Sequence, residues 1–166
     1  MLRHDYFQIW TRFHALPESK RYPENDEEVG IILDRANTLA TECFGERACV
    51  WIAAAYYSDF ALEIDDLPSR LNLSKAMVWI DENQKPGDQM EWSVFASRLE
   101  WKRSCLDRLF REIADDRERA VLFSEETQTV FAPYDGGFDI VSLHPGKILQ
   151  LERTYRPWMS SRSDKL

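Results

Sequence analysis

The sequence predicts an α+β fold in which a mainly antiparallel sheet of about six strands carries two N-terminal helices, one central helix and one C-terminal helix. Strand-like segments come in runs joined by turns, whereas the strands of a parallel sheet would alternate singly with helices. Apolar residues make up 44% and charged residues 30% of the 166 residues, as is typical of a globular protein. We therefore expect a single domain over residues 1–166, with a tail at 160–166 that frays or covers the sheet.

Two helices are predicted in the N-terminal part. Between residues 5 and 16, aromatic residues recur at three- and four-residue steps, which indicates a short amphipathic helix. After a linker with two prolines, Asn25 and Glu28 have the spacing of a helix-capping pair, and an apolar face then extends to Cys43. Gly45 occupies the position of a C-terminal cap. The acidic run at 24–28 is thus explained by a helix start.

The sequence of the middle of the chain predicts three strands. The continuous apolar run at 49–57 indicates a buried strand, and residues 75–80 and 91–100 indicate a hairpin with a long loop. Residues 59–74 are turn-like around Pro68, and the sequence leaves open whether they form helix or strand.

The C-terminal part shows the clearest periodicity. Apolar residues at helical spacing predict a central helix over 102–116. Three strands follow, at residues 119–123, 129–134 and 138–143. The segment Asp135-Gly136-Gly137 predicts a hairpin turn, because glycine supplies the positive φ that such turns require. A last helix is predicted over 147–159.

The net charge of the chain limits the classes of partner that it is expected to bind. The 21 basic and 29 acidic residues give a net charge of −8, which disfavours binding to nucleic acid or to an anionic membrane surface. The same charge favours a basic protein partner, although it is also compatible with a role in solubility alone. The first residues lack the apolar core of a signal peptide, and the longest apolar run, 48–57, is about half a membrane span. Together with three irregularly spaced cysteines, these features predict a cytoplasmic protein.

No common catalytic or metal motif occurs in the sequence, so we expect no metal or cofactor. Phosphate-binding glycine loops, a serine nucleophile elbow and paired zinc ligands are all missing from the sequence. Cys43, Cys49 and Cys105 lie in apolar segments and are predicted to be buried, inert thiols.

Carboxylates near the Gly-Gly turn are the remaining catalytic candidates. Asp135 and Asp139 flank the turn, with Tyr134 and His144 close in sequence. General acid–base catalysis needs one desolvated carboxyl, which the sequence cannot identify. The structural alternative is that Asp135 is a favoured turn residue and Asp139 an exposed strand residue.

Acidic clusters are the candidates for a partner-binding surface, and Trp158 beside the tail is a candidate contact residue because tryptophan is enriched in binding hot spots. The clusters lie at 24–28, 63–66 and 81–82. The residues predicted to contact a partner are Asp65, Asp66, Asp81, Glu82, Asp135, Asp139 and Trp158.

Residues 120–162 resemble the end of a small bacterial domain family of unknown function. In that family a strand pair carries the motif Y-D-x-G-x-D, and a final helix ends in Tyr-x-x-Trp followed by leucine or methionine. In this sequence the two motifs correspond to Tyr134, Asp135, Gly137, Asp139, Tyr155, Trp158 and Met159. The resemblance implies an α+β fold and no particular enzymatic activity.

Small acidic proteins of this kind are similar to the immunity proteins encoded beside bacterial toxins, many of which neutralise basic nucleases. By this analogy of size and charge, the leading hypothesis is a non-catalytic immunity protein that binds a cognate toxin or another basic protein. The alternatives are a regulatory subunit of a larger complex and a small hydrolase that uses Asp135, Asp139 and His144. The oligomeric state stays open.

Overall fold

The computed structural model describes residues 9–58, 66–80 and 90–160. Within these residues the chain forms one antiparallel sheet of seven strands with four α-helices. The strands are β1 (Trp10–His14), β2 (Cys49–Tyr57), β3 (Ser74–Ile80), β4 (Glu91–Glu100), β5 (Val121–Ser124), β6 (Thr129–Tyr134) and β7 (Gly137–Ser142). The helices are α1 (Asp26–Phe44), α2 (Leu67–Arg70), α3 (Asp107–Ala114) and α4 (Pro145–Thr154). The α+β class and the antiparallel sheet are therefore confirmed.

The strands lie in the order β1-β7-β6-β5-β2-β4-β3, and each neighbouring pair is antiparallel. Helices α1 and α3 pack on β6, and α4 packs on β7 and β1. The largest fully buried side chains fill the layer between these helices and the sheet, including Trp101, Phe110 and Phe131. Aromatic rings meet there edge to face or stacked, as between Phe131 and Phe138 at 5.5 Å.

In strand β2 the side chains on one face of the sheet are more buried than those on the other. Val50, Ile52 and Ala54 are buried towards the helices, whereas Trp51 and Ala53, which alternate with them, are only partly buried. The continuous apolar run thus lies in a sheet that has helices on one face in the described part of the chain. On the second face the Arg98 guanidinium of β4 lies over the Trp51 ring at 4.8 Å, and the Tyr57 ring lies against that of Trp92.

The prediction of a helix over residues 5–16 is wrong for the residues of this segment that the structure describes. Residues 10–14 form strand β1, which pairs with β7 from Trp10↔Val141 to His14↔Gly137, while residues 1–8 lie outside the described residues. The spacing of apolar residues in so short a segment is not enough to distinguish a helix from a strand. Pairing with a strand more than 120 residues away decided the outcome, and that pairing also raises the strand count from about six to seven.

The other predicted elements are confirmed with shifted ends. The central helix is shorter than predicted, at Asp107–Ala114. The last helix ends at Thr154 and is followed by a short 3-10 turn at Arg156–Trp158. Part of the undecided segment 59–74 forms α2, and residues 59–65 lie outside the described part of the chain.

Helix α1 begins and ends as the sequence predicts. The side chain of Asn25 accepts a hydrogen bond from the Glu28 backbone N–H at 2.9 Å, and the Glu28 carboxylate accepts one from the Glu24 N–H at 2.7 Å. At the other end Gly45 has a φ of 86°, and its N–H bonds to the Thr41 carbonyl. Glycine is favoured there because side chains disfavour a positive φ.

The hairpin between β6 and β7 needs its glycine for another reason than the predicted one. Asp135 and Gly136 form a two-residue loop, and none of the residues 135–137 has a positive φ. Instead, a Cβ on Gly137 would lie 2.2 Å from the Phe13 carbonyl oxygen. Gly137 is therefore required because β1 approaches the backbone of β7 closely.

Gly137→Ala is expected to lower the free energy of unfolding by about 1–3 kcal/mol, because the new methyl group must displace main-chain atoms of β1. Gly30→Ala is the matched control, since the same methyl group in α1 meets no atom within 4 Å. That control is expected to raise the free energy by about 0.5–1 kcal/mol through its helix propensity. Urea unfolding of both variants measures the difference, and equal stabilities would contradict the close approach.

Candidate functional site

A cleft of about 860 Å³ opens beside the start of β5. One wall is formed by residues 53–57 of β2 together with Trp92 and Val94 of β4. The opposite wall is formed by residues 133–135 at the end of β6 and by Arg21 from the linker before α1. The segment 116–121, which leads from α3 into β5, closes one end, and Ile113 of α3 contributes to the floor. Its volume is in the range of known ligand-binding clefts.

The cleft exists because β5 is short. It has four residues, whereas β2 has nine and β6 has six. The pairing between β2 and β5 ends at Ala53↔Val121, so β2 continues past the point where β5 begins. Pro133 lies on β6 beside this interruption, where no neighbouring strand requires the N–H that proline lacks.

At the mouth of the cleft, Asp135 joins the linker before α1 to the hairpin between β6 and β7 through hydrogen bonds. Its carboxylate accepts hydrogen bonds from Arg21 Nε at 2.6 Å and from the Tyr22 hydroxyl at 2.9 Å. Burial of Asp135 acts to raise its pKa, but the bonds from Arg21 and Tyr22 outweigh burial and hold the pKa below its usual value. Asp135 is therefore an ionised anchor at neutral pH, which is unsuited to proton donation.

Aromatic and polar side chains line the β2 wall. The rings of Tyr57 and Trp92 lie 3.9 Å apart between centroids. The Tyr56 hydroxyl donates to the Glu118 carboxylate at 2.8 Å. Burial and this acidic partner raise the pKa of Tyr56, so the phenol stays protonated. The wall can therefore stack against a ligand, while the Tyr56–Glu118 bond holds the segment after α3 against β2.

The structure does not bring Asp135, Asp139 and His144 together. Asp139 forms a two-bond ion pair with Arg12, at 2.6 and 2.7 Å, and Arg12 also lies over the Tyr134 ring at 4.7 Å. His144 is exposed beyond the other end of β7, about 16 Å of strand from the turn that holds Asp135. The three side chains do not form one catalytic group.

The predicted contact residues have different surroundings. Asp66 is partly buried directly before α2, while Asp65, Asp81 and Glu82 lie outside the described residues. Trp158 is partly buried, stacks on Tyr155 at 4.6 Å and has the Arg35 guanidinium 5.0 Å from its ring. Trp158 thus helps to cover the core near α1.

The cysteines differ from their prediction. Cys43 is buried, but Cys49 and Cys105 are exposed, which corrects the expectation that all three are buried. Cys49 lies at the start of β2 and Cys105 in the turn before α3, where the neighbouring apolar residues do not enclose them. Across the described ranges, no group of His, Cys, Asp and Glu side chains is arranged to hold a metal ion.

Sequence reasoning missed the cleft as a whole, because its walls come from distant segments. Two signals point to it in retrospect. Pro133 within a predicted strand indicates a position without a neighbour on one side. The three successive alanines of β2, at 53–55, leave space that larger side chains would fill.

Asp135→Asn is expected to destabilise the protein at pH 7. A pKa below the unfolded value of about 3.9 means that the Asp135 carboxylate stabilises the fold above that value, and that this stabilisation is lost as the pH falls through the lowered pKa. The free energies of unfolding of wild type and variant should therefore converge in acid. Glu46→Gln, at an exposed acid, is the control and should differ little from wild type at pH 7. A difference for Asp135→Asn that persists below its pKa would contradict the assignment.

Thiol labelling should distinguish the cysteines. Burial raises the pKa of Cys43 to about 12, so this thiol has neither access nor thiolate character at neutral pH. We expect an aromatic disulfide reagent to label Cys49 and Cys105 rapidly in the folded protein, and Cys43 only after unfolding. Peptide mapping of the labelled sites makes the measurement, and rapid labelling of Cys43 would show that its surroundings open.

Comparison with known proteins gives a family for the chain. No curated protein and no solved structure was found to match it. None of the helices in the described residues is long and apolar enough to cross a membrane. The model of one family, described as a domain of unknown function (DUF3885), matches residues 1–163. The chain therefore belongs to the DUF3885 family.

Proposed function

We propose that this protein is a non-catalytic binding domain that docks a basic protein, and more specifically an immunity protein that neutralises a cognate toxin domain. The observation that carries the proposal is the edge strand β3. All seven of its residues are exposed, and Met77, Val78, Trp79 and Ile80 have 54%, 42%, 48% and 44% of their surfaces accessible. Four consecutive exposed apolar residues are unusual on a sheet edge and are typical of an interaction surface.

Strand β3 has the features needed for docking. Among the described residues it is the last strand of the sheet, so no other described strand covers its outer backbone edge, which can pair with another chain. Met77 and Trp79 pair with Val94 and Trp92 of β4 on one face of the hairpin. A partner strand added to this edge would gain backbone hydrogen bonds and cover apolar side chains on both faces.

Charge supports a basic partner. The chain has a net charge of −8, and in the sequence Asp81 and Glu82 directly follow Ile80, the last residue of β3. Asp65 and Asp66 precede the short helix that leads into the same strand. In the sequence, acidic residues thus stand on both sides of the apolar strand, and an apolar centre with a polar rim is the usual composition of a protein interface. Long-range attraction would then steer a basic partner towards β3.

The first test is co-expression with the product of the neighbouring upstream reading frame. We expect a stable complex and rescue of growth if that product is a toxin. A stable complex without toxicity would replace the immunity role by that of a regulatory subunit. Absence of both a complex and toxicity would remove the immunity proposal.

Trp79→Ser is expected to weaken the complex by about tenfold or more, because exposed tryptophans at interfaces contribute strongly to binding. Leu149→Ser is the matched control, since Leu149 is 55% exposed on α4, away from β3. Both side chains are about half exposed, so both variants should keep near-wild-type stability. Binding is measured by calorimetry at two salt concentrations. An equal loss in the two variants would contradict docking at β3.

A further inference from the structure

The sheet is interrupted between β2 and β6. Strand β5 separates them only over its four residues, from Ala53↔Val121 on one side to Leu122↔Phe131 on the other. Beyond Val121 the two outer strands continue as the walls of the cleft. Two strand spacings separate such walls, roughly 10 Å, which leaves room for one more extended chain between them.

The backbone of β2 directs hydrogen-bonding groups into this space. On the β2 side, the residues that bond to β4 are the even-numbered ones, as the bonds just beyond its two ends show. The Trp101 N–H donates to the Ala48 carbonyl at 2.7 Å, and the Ser58 N–H donates to the Glu91 carbonyl at 2.9 Å. In an antiparallel pair, successive residues bond alternately to either side. Ala55 and Tyr57 therefore direct their N–H and C=O groups towards the cleft, where β5 has no residue opposite them.

The β6 wall presents an acceptor by the same rule. The Leu143 N–H bonds to the Gln128 carbonyl at 3.1 Å, which assigns the even-numbered residues of β6 to β7. Pro133 thus faces the cleft with its carbonyl, and as a proline it offers no donor. Both walls together provide the donors and acceptors that an inserted strand would use.

We propose that this cleft binds an extended acidic peptide of a partner protein, which pairs with Ala55 and Tyr57 as a short strand in line with β5. This binding site is separate from β3 and does not rest on the proposed function. Its ligand would add a strand inside the sheet, at an interruption, whereas a partner of β3 would add one at the edge.

The floor of the cleft selects an apolar side chain. Ala54, Ile113 and Ala120 line it, and each is at least 95% buried. In an extended peptide alternate side chains point to opposite faces. One apolar side chain of the peptide would therefore contact this floor, and its two neighbours would point to the open face of the sheet.

The mouth of the cleft selects acidic side chains. Arg21, Arg117 and Arg119 line it with side chains that are 64%, 61% and 83% exposed. Each forms an ion pair with a carboxylate that is less exposed than the arginine itself. The side chains of Asp135, Asp115 and Asp116 are 7%, 37% and 45% exposed. In each pair the more exposed group is thus the guanidinium, which attracts carboxylates of a peptide even though the whole chain is acidic and Asp116 and Glu118 also line the cleft.

The test uses a capped heptapeptide in which glutamate and valine alternate, and a second peptide with lysine in place of each glutamate. Nuclear magnetic resonance of the labelled full-length protein follows titration and amide hydrogen exchange. We expect the glutamate peptide to bind and to slow exchange at Ala55 and Tyr57, and the lysine peptide to bind at least about fivefold more weakly. Unchanged exchange at these two amides, or equal binding of both peptides, would overturn the proposal.

Exposed charges provide the variants, because they can be changed without disturbing the core. Arg117→Glu combined with Arg119→Glu should weaken binding of the glutamate peptide by about fivefold or more at low salt. Arg153→Glu, at an exposed arginine of α4, should leave binding within about twofold of wild type. Near-ultraviolet circular dichroism verifies that the variants are folded. If Arg153→Glu weakened binding of the peptide equally, the effect would come from the net charge of the chain, and the proposed binding site would be overturned.

Discussion

The sheet depends at one edge on the close approach of two backbones. Because Gly137 has no side chain, the Phe13 carbonyl lies against it, and β1 can align with β7 along its whole length. The chain then leaves β1 with the Ala15 N–H bonded to the Gly136 carbonyl. This bond directs the linker past the hairpin, where Arg21 reaches Asp135. One glycine thus positions the edge strand, the linker and a wall of the cleft.

Much of the fold could be predicted from the sequence, because those parts are decided locally. The caps of α1 at Asn25 and Gly45 are hydrogen bonds between residues three or four apart, and they occur as predicted. Strand β1 could not be predicted, since the spacing of its aromatic residues favours a helix and only the pairing with β7 overrides that preference. The cleft could not be predicted for a related reason, because it results from a difference in length between strands β2 and β5 that lie far apart in the chain.

The distribution of charge also goes beyond what composition indicates. A net charge of −8 predicts an acidic surface, yet three arginines that line the cleft are more exposed than their carboxylate partners. Arg12 and Asp139 form a further pair on the sheet face opposite to the one on which α1 and α3 pack. The local electrostatic potential therefore depends on which member of each ion pair is more exposed, and a count of charges cannot reveal this. A basic partner at β3 and an acidic peptide at the cleft are compatible for this reason.

The exposed apolar edge of β3 has a consequence for the protein on its own. A free strand edge with apolar residues on both faces is a template for the growth of intermolecular sheets, and hence of aggregates. Two features of β3 oppose such growth. Lys75 puts a charge at one end of the strand, and a register shift between Lys75 and Met77 interrupts its regular pairing with β4. Neither feature lies within Met77–Ile80, so the solubility of the overproduced chain should depend on whether another molecule covers this segment.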